Sequence, residues 1–273
     1  MASFVALMRR YCNDYTNRQD FSVCDEIMDP DYVLHMGTYD LRGRDAHYKP
    51  ATRKQFDQFP GLCLSVHEIV TNGDRLLLRF SEHGASVRHG GARCAWGGMG
   101  LYKWDGARLL ENFVEQDYYS RRKQLAQGYE LPIDRPAIAP WDTQAAPADP
   151  AAETLVRTLL ERGELNSLPG VVFDDTWTGE PFQPVLKPTT VQIDDMFSAG
   201  AQVAFHIAQS GKLTEDFREG HNAPAGQPVV LHMSGIVTVE DGAVVSGRII
   251  RDRLGLLRRL QGCEPAACVT VST

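Results

Sequence analysis

The chain has 273 residues, is 43% hydrophobic, and carries 28 basic against 35 acidic residues for a net charge of −7. That length allows one large domain or two ordinary ones, each able to bury a core. No long basic run is present, and no apolar run approaches the roughly 20 residues a membrane span needs, so neither nucleic acid nor membrane is an expected partner. The opening MASFVALMRRYC places its arginine pair after a very short apolar run, the reverse of a secretory signal. Six cysteines lie far apart without a CxxC pair, which reads as reduced thiols in a cytoplasmic protein.

Taken in order, Ser3–Tyr15 spaces Phe4, Leu7, Met8, Tyr11 and Tyr15 as on a helix. Phe21–Met28 reads as a second short helix, ended by Asp29-Pro30. Tyr32–Met36 is a short strand, Tyr39–Arg44 a polar loop, and Asp45–Phe56 a third helix with Pro50 near its start. A meander follows. Leu62–Thr71 and Arg75–His83 flank the hairpin turn Asn72-Gly73-Asp74. A loop at Gly84–Gly91 leads to the glycine-bearing strand Arg93–Trp104, whose glycines predict close packing or a bulge. The turn Asp105-Gly106 leads into the last strand, Arg108–Tyr119.

Residues 127–152 hold five prolines and one aromatic anchor, Trp141, and read as an ordered, irregular linker. The pattern then recurs. Glu153–Arg162 is a helix, and Ser167–Phe173 answers the second helix. Strands follow at Thr189–Phe197, Gln202–Gln209, Val229–Val239 and Ala243–Arg253. The segment Leu110–Leu125, LENFVEQDYYSRRKQL, has a degenerate echo in Ser246–Leu260, SGRIIRDRLGLLRRL, which sets Asp117 on Asp252 at an offset of 135. An offset of that size indicates duplication of a domain, not a solenoid. The polar insert Gly211–Pro228 is read as a long hairpin loop, with a lid as the alternative.

Helices followed by a bent sheet that ends in a carboxylate-bearing strand resemble the SnoaL-like branch of the nuclear-transport-factor-two-like superfamily. The carrying motifs are DPDYVLHMG (Asp29–Gly37), TNGDRLLLRFSEHG (Thr71–Gly84), GGMGLYKWDGARLLENFVEQD (Gly97–Asp117), and MFSAGAQVAFHI and SGIVTVEDGAVV in the second half. The resemblance implies an α+β fold of two tandem cone-shaped barrels, each with N-terminal helices packed on a curved antiparallel sheet. The expected division is a catalytic repeat at 1–126, a linker at 127–152, a degenerate repeat at 153–262 and a loose tail at 263–273. The resemblance also implies a cone whose open end holds an apolar pocket with a few polar groups, and a homodimer formed through the outer sheet face. Such folds host cyclases, isomerases, dehydratases, epoxide hydrolases and non-catalytic binders. Tandem relatives include cofactor-free lyases that release formaldehyde from diarylpropanes. Fold therefore limits function only loosely.

The family pattern places an acidic residue near the end of the last strand, pointing into the cone, and Asp117 matches that place. Alternation puts Glu111, Phe113, Glu115 and Asp117 on one face. A carboxyl in an apolar pocket has its charged form disfavoured and becomes a usable acid or base. The expected catalytic residues are Asp117, His35, Glu115, Tyr48 and His89. The expected substrate contacts are Tyr39, Arg79, His83, Trp96, Phe113 and Tyr119. Each has a structural alternative: an ion-paired carboxylate, a satisfied histidine, a core aromatic. Ser81 stands where epoxide-hydrolase relatives carry an acid two residues after the arginine at Arg79, which argues against that mechanism. His83 and His89 lack metal-ligand spacing, and no cofactor motif is present, so the expected chemistry uses neither metal nor cofactor. Asp252, between two arginines, reads as an ion-paired structural carboxylate. The expected activity is a lyase of retro-aldol or dehydration type on a hydrophobic aromatic small molecule. A polyketide cyclase or isomerase, and a non-catalytic binder, are the alternatives.

Overall fold

The structure is a computed structural model, described here for residues 3–262 except 169, 175–177 and 218–219. The expected loose tail, with Cys263 and Cys268, lies outside the described residues.

The chain builds two sheets. In the first half, α1 (Phe4–Arg9) runs on as a π-helical segment, Arg10–Asn17, and α2 (Ser22–Ile27) follows. Ser3 starts α1 by accepting the Ala6 N–H at 3.1 Å. Strand β1 (Met28–Met36) and the short β2 (Tyr39–Arg42) form a hairpin, so the expected polar loop is an edge strand. A second π-helical segment, Arg44–Tyr48, enters α3 (Lys49–Gln58), with Pro50 in its first turn. The meander is β3 (Cys63–Thr71), β4 (Arg75–Ser86), β5 (Ala92–Trp104) and β6 (Leu109–Gln116). Their order in space is β2-β1-β6-β5-β4-β3.

In the second half, α5 (Pro150–Glu161) leads to β7 (Val171–Phe173), β8 (Leu186–Ala199), β9 (Gln202–Leu213), β10 (Pro228–Glu240) and β11 (Ala243–Arg251), in the order β7-β11-β10-β9-β8. Helices α4 (Tyr118–Gln127) and α6 (Arg253–Leu260) close the two halves.

Three expectations change. Both sheets are mixed, because β1 runs parallel to β6 and β7 parallel to β11. Both are open at their edges, so the cones are curved sheets and not closed barrels. The last strand of the first half stops at Gln116, and Tyr118–Gln127 is a helix. Asp117 is the reason: its side chain accepts the Ser120 N–H at 3.0 Å and caps α4.

The duplication holds at atomic detail. Asp117 and Asp252 share φ/ψ values of −76°/62° and −73°/62°. Each donates its N–H at 2.9 Å, to Gly97 O and to His232 O, and Asp252 caps α6 through Gly255 N–H at 2.8 Å. The glycine strands also repeat one device. Gly98 lies opposite Phe80, and Gly235 opposite Phe205. In each case the phenyl ring occupies the space a side chain on the glycine would need.

Each sheet has a helix-covered face and an outer face. On β4, Leu76, Leu78 and Phe80 turn into the first core with Tyr15, Tyr32 and Tyr102, while Leu77 turns outward. The two outer faces pack on each other. Val70, Leu77, Met99 and Leu101 of the first sheet meet Phe197, Ala204, Ile236 and Ile250 of the second, all buried. The face that the family resemblance reserves for a second subunit is covered by the chain's own second repeat. A homodimer therefore needs another surface.

Buried charges cross between the halves. Arg253 reaches Asp117 at 3.1 Å and Asp174 at 3.1 Å, and Asp174 also binds Arg251 at 2.7 Å. Arg253 is 1% exposed, so removing it leaves the buried Asp117 without its cation and Asp174 with Arg251 alone. Arg253→Met is expected to cost about 3–5 kcal/mol in urea denaturation. Adding Asp117→Asn should recover part of that loss, and a double variant no more stable than the single one would refute the coupling.

Candidate functional site

The first cone holds a cavity of about 220 Å³ between α3 and the concave face of the sheet. Its most unusual lining group follows from strand alternation. Leu76, Leu78 and Phe80 of β4 point inward, and the next inward residue is Glu82, a carboxyl only 6% exposed. Burial pushes Glu82 up to about 7, against the lowering effects of Arg121 and of hydrogen bonds from Gln55 and Trp96. Gln55 Nε2 donates to Glu82 at 2.7 Å, and the Tyr118 hydroxyl donates to Gln55 Oε1 at 3.4 Å. Arg121 makes no ion pair among those found between described residues. Its guanidinium lies 4.1 Å from the Tyr118 ring centre and 4.8 Å from that of Trp96. Glu82 thus sits in a low-polarity site and is held by neutral donors.

Two further phenols line this cavity, Tyr11 and Tyr48, whose hydroxyls lie 3.1 Å apart. Burial raises both far above their ordinary value, so each stays protonated and can donate. Met36, Tyr39 and Leu41 from the β1–β2 hairpin line the mouth. Asp252, Leu254 and Arg258 from α6 and its cap join them, so the second repeat closes the first repeat's cavity. Asp252 packs on Gly37, where any side chain would collide with its carboxylate. The flanking arginines point elsewhere, into the Asp174 network; the ion pair found for Asp252 is with Arg259, at 3.6 Å. This corrects the expectation that Arg251 and Arg253 neutralise it. Burial, then the charge of Glu115, pushes Asp252 up to about 7.

The expected site residues divide. Tyr48, Tyr39 and Glu115 line the cone cavity, whereas Trp96 lines the cavity beneath the linker and meets this one through Arg121, whose guanidinium lies over its ring. Glu111, Phe113 and Glu115 do share a face, but it is the outer one, against the second repeat. Glu115 accepts from Gly37 N–H at 2.9 Å and from His206 Nε2 at 3.0 Å, and His206 Nδ1 meets Asp194 at 2.9 Å. Burial opposes a charge on His206, but the bonds to Asp194 and Glu115 prevail and keep it protonated up to about 9. His35 also faces outward, held between Asp40 at 2.6 Å and Glu111 at 2.9 Å and stacked on Phe113. Asp117 does not point into the cone, because its carboxylate is committed to the α4 cap and to Arg253.

Arg79 faces outward too, bound to Glu68 and Asp134. With Asp117 it lines a second cavity of about 240 Å³ beneath linker residues Leu131–Asp134, where His67 Nε2 meets Ser81 Oγ at 2.9 Å. His83 and His89 remain apart from both cavities, against Ser65 and Ser86. Tyr119 belongs to the second core, against Phe217. Glu82, Gln55, Tyr118 and Arg121 were missed from sequence. The apolar run Leu76, Leu78, Phe80 was the available signal, since it marks the inward parity of β4 and Glu82 continues it.

Comparison with known families gives two matches, a SnoaL-like domain at residues 8–112 and a SnoaL-like polyketide cyclase at residues 188–260. No curated protein matches the chain. Among solved structures, similarity extends to a protein named as a SnoaL-like polyketide cyclase from Jannaschia sp. CCS1. It is 16% identical over 45% of this chain and 90% of that one, with a TM-score of 0.40. A protein named as a polyketide cyclase from Streptomyces antibioticus is 18% identical over 44% and 96%, with a TM-score of 0.40. A protein named as an LEH-like epoxide hydrolase of M. tuberculosis is 19% identical over 45% and 85%, with a TM-score of 0.39. No helix of the described residues is long and apolar enough to cross a membrane.

Glu82 gives this cavity a pH signature. Its folded value, about 7, lies above its ordinary 4.5, so the folded state binds the proton more tightly than the unfolded chain. Its contribution to stability is therefore fully present below the ordinary carboxylate range and is lost as pH rises through about 7. Glu82→Gln should gain roughly 3 kcal/mol on wild type between about pH 5 and about pH 8. Parallel urea titrations at the two pH values check this, and an unchanged difference would show that Glu82 ionises normally.

Proposed function

We propose, for a chain that is a tandem SnoaL-like protein of the nuclear-transport-factor-two-like superfamily, that the first cone is an acid/base active site for a small hydrophobic molecule. The observation that carries this reading is Glu82: a buried carboxyl lining a largely apolar cavity, with its pKa pushed up to about 7 and no ion pair found among the described residues. Such a group can take a proton from carbon or oxygen and return it at ordinary pH. Tyr48 and Tyr11, held protonated by burial, are the donors for an oxygen that gains negative charge. Gln55 fixes the Glu82 carboxyl, and Tyr118 fixes Gln55.

This equipment suits proton abstraction beside a carbonyl, or proton removal from a β-hydroxyl with cleavage of the adjacent carbon–carbon bond. In the second case the alkoxide collapses to a carbonyl, and the released electron pair becomes an enolate whose oxygen the phenols stabilise. The form we favour is an arylpropane-type substrate with a carbonyl β to its hydroxyl, which loses formaldehyde by this cleavage, or water by proton abstraction beside the carbonyl and departure of the hydroxyl. The reverse, ring closure of the kind implied by the cyclase family name, uses the same groups. The cavity is smaller than the roughly 300–1,000 Å³ of drug-sized pockets, which favours a substrate of one or two rings.

With a panel of aryl-propanediols and β-hydroxyketones, Glu82→Gln should lower kcat/KM at least about 10²-fold, the scale of general acid/base catalysis, while Asp117→Asn changes turnover little in the folded fraction. Tyr48→Phe should lower kcat more than it raises KM. Wild-type protein that binds aromatics without turning any over would point to the non-catalytic binder instead. Turnover that survives loss of Glu82 would place the chemistry elsewhere.

A further inference from the structure

The seam between the two repeats carries a second constellation, outside the cone. Glu115 of β6, His206 of β9 and His232 of β10 each offer one ligand atom, and all three atoms lie within 4.8 Å of one another. Glu115 and His206 are fully buried, and His232 is half-buried beside them with its ring 6.1 Å from that of His206. The first ligand comes from one repeat and the other two from the second.

Two independent observations give this cluster the character of a cation site. The Nδ1 atom of His232 is buried and has no hydrogen-bond partner among the described residues. An unpaired ring nitrogen out of water is costly, and a cation ligated by it would remove that cost. His206 has its other nitrogen held by Asp194 at 2.9 Å, the carboxylate–histidine arrangement that orients an imidazole toward a metal. Without a metal, His206 holds a proton between Asp194 and Glu115, and a cation that takes the ligand atoms of Glu115 and His206 would displace the proton bridging these two residues to solvent.

We infer that Glu115, His206 and His232 form a binding site for a borderline transition-metal ion of the zinc class. Two imidazoles and one carboxylate are a donor set that suits zinc and leave a fourth position open. Because the ligands come from both repeats, the ion would also pin the second repeat against the first at the mouth of the cone, where Glu115 lies. The inference stands apart from the role of Glu82, which is not among the ligands.

The full-length protein, stripped with chelator, is titrated with Zn²⁺ by calorimetry and with Co²⁺ by visible absorption. The expected result is one saturable site per chain and intense d–d bands of a four-coordinate Co²⁺. Zn²⁺ should also raise the melting temperature. His232→Ala is the informative variant, since it removes an orphaned nitrogen without disturbing the His206 pairs; it should fold as the metal-free wild type does and lose the Co²⁺ bands. Asp194→Asn should bind about 10–100-fold more weakly. His83→Ala, a surface histidine of the first repeat, should bind as wild type. Absence of saturable binding, or binding that is unaltered in His232→Ala, overturns the inference and leaves Glu115–His206–Asp194 as a buried ion-pair triad only.

Discussion

The packing of one sheet's outer face on the other's is the constraint on which the rest depends. It buries Leu77, Met99 and Leu101 against Phe197, Ile236 and Ile250, and it brings polar groups from each repeat into one seam. Apolar contact supplies the non-directional part of that adhesion. The buried pairs supply its register: Arg253 with Asp117, His206 with Glu115, and Arg75 with Asp195. Sliding one sheet over the other would pull each of these pairs apart and leave buried charges unpartnered. The cone's mouth exists only in that register, since Asp252 and Leu254 of one repeat close a cavity built by the other.

Duplication preserved the backbone and let the chemistry diverge. Asp117 and Asp252 perform one local task, stopping a strand and capping the helix after it. Their surroundings then separate them. Asp117 meets Arg253 and sits beneath the linker, whereas Asp252 meets Gly37 and faces the first cone. The interiors diverge as well. The first cone keeps a cavity with Glu82 at its inner end, whereas Phe173, Phe205, Phe217 and Tyr119 pack together in the second. A carboxyl keeps its proton toward neutral pH where the cost of burying its charge outweighs nearby cations and donors, and at Glu82 burial outweighs Arg121, Gln55 and Trp96.

Much of the fold was legible because it rests on periodicity and turns. The hairpin turns, the meander and the tandem offset all follow from local pattern. The candidate site was less legible. The strands β4 and β6 both turn their even-numbered residues into the cone, which places Glu82 inside and Glu111 and Glu115 outside, and nothing within β6 says which side the helices cover. Val114, which lies in the first core, marks the inner face and leaves Glu115 outside. Tyr118 and Arg121 were hidden by reading the strand three residues too far, through the cap at Asp117.

The sequence by itself determined two α+β repeats with helices ahead of each meander, an aspartate at the end of each last strand, and an acidic, cysteine-poor surface chemistry. Those properties depend on residues near one another in the chain, where strand period and turn chemistry operate. Only the tertiary structure decided which carboxyl lies in water-poor surroundings, which arginine meets which aspartate, and that the second repeat finishes the first repeat's cavity. Each of those depends on which face of a sheet another element covers. Burial and long-range pairing, not residue type, set the charge state of Glu82, Asp117 and Asp252.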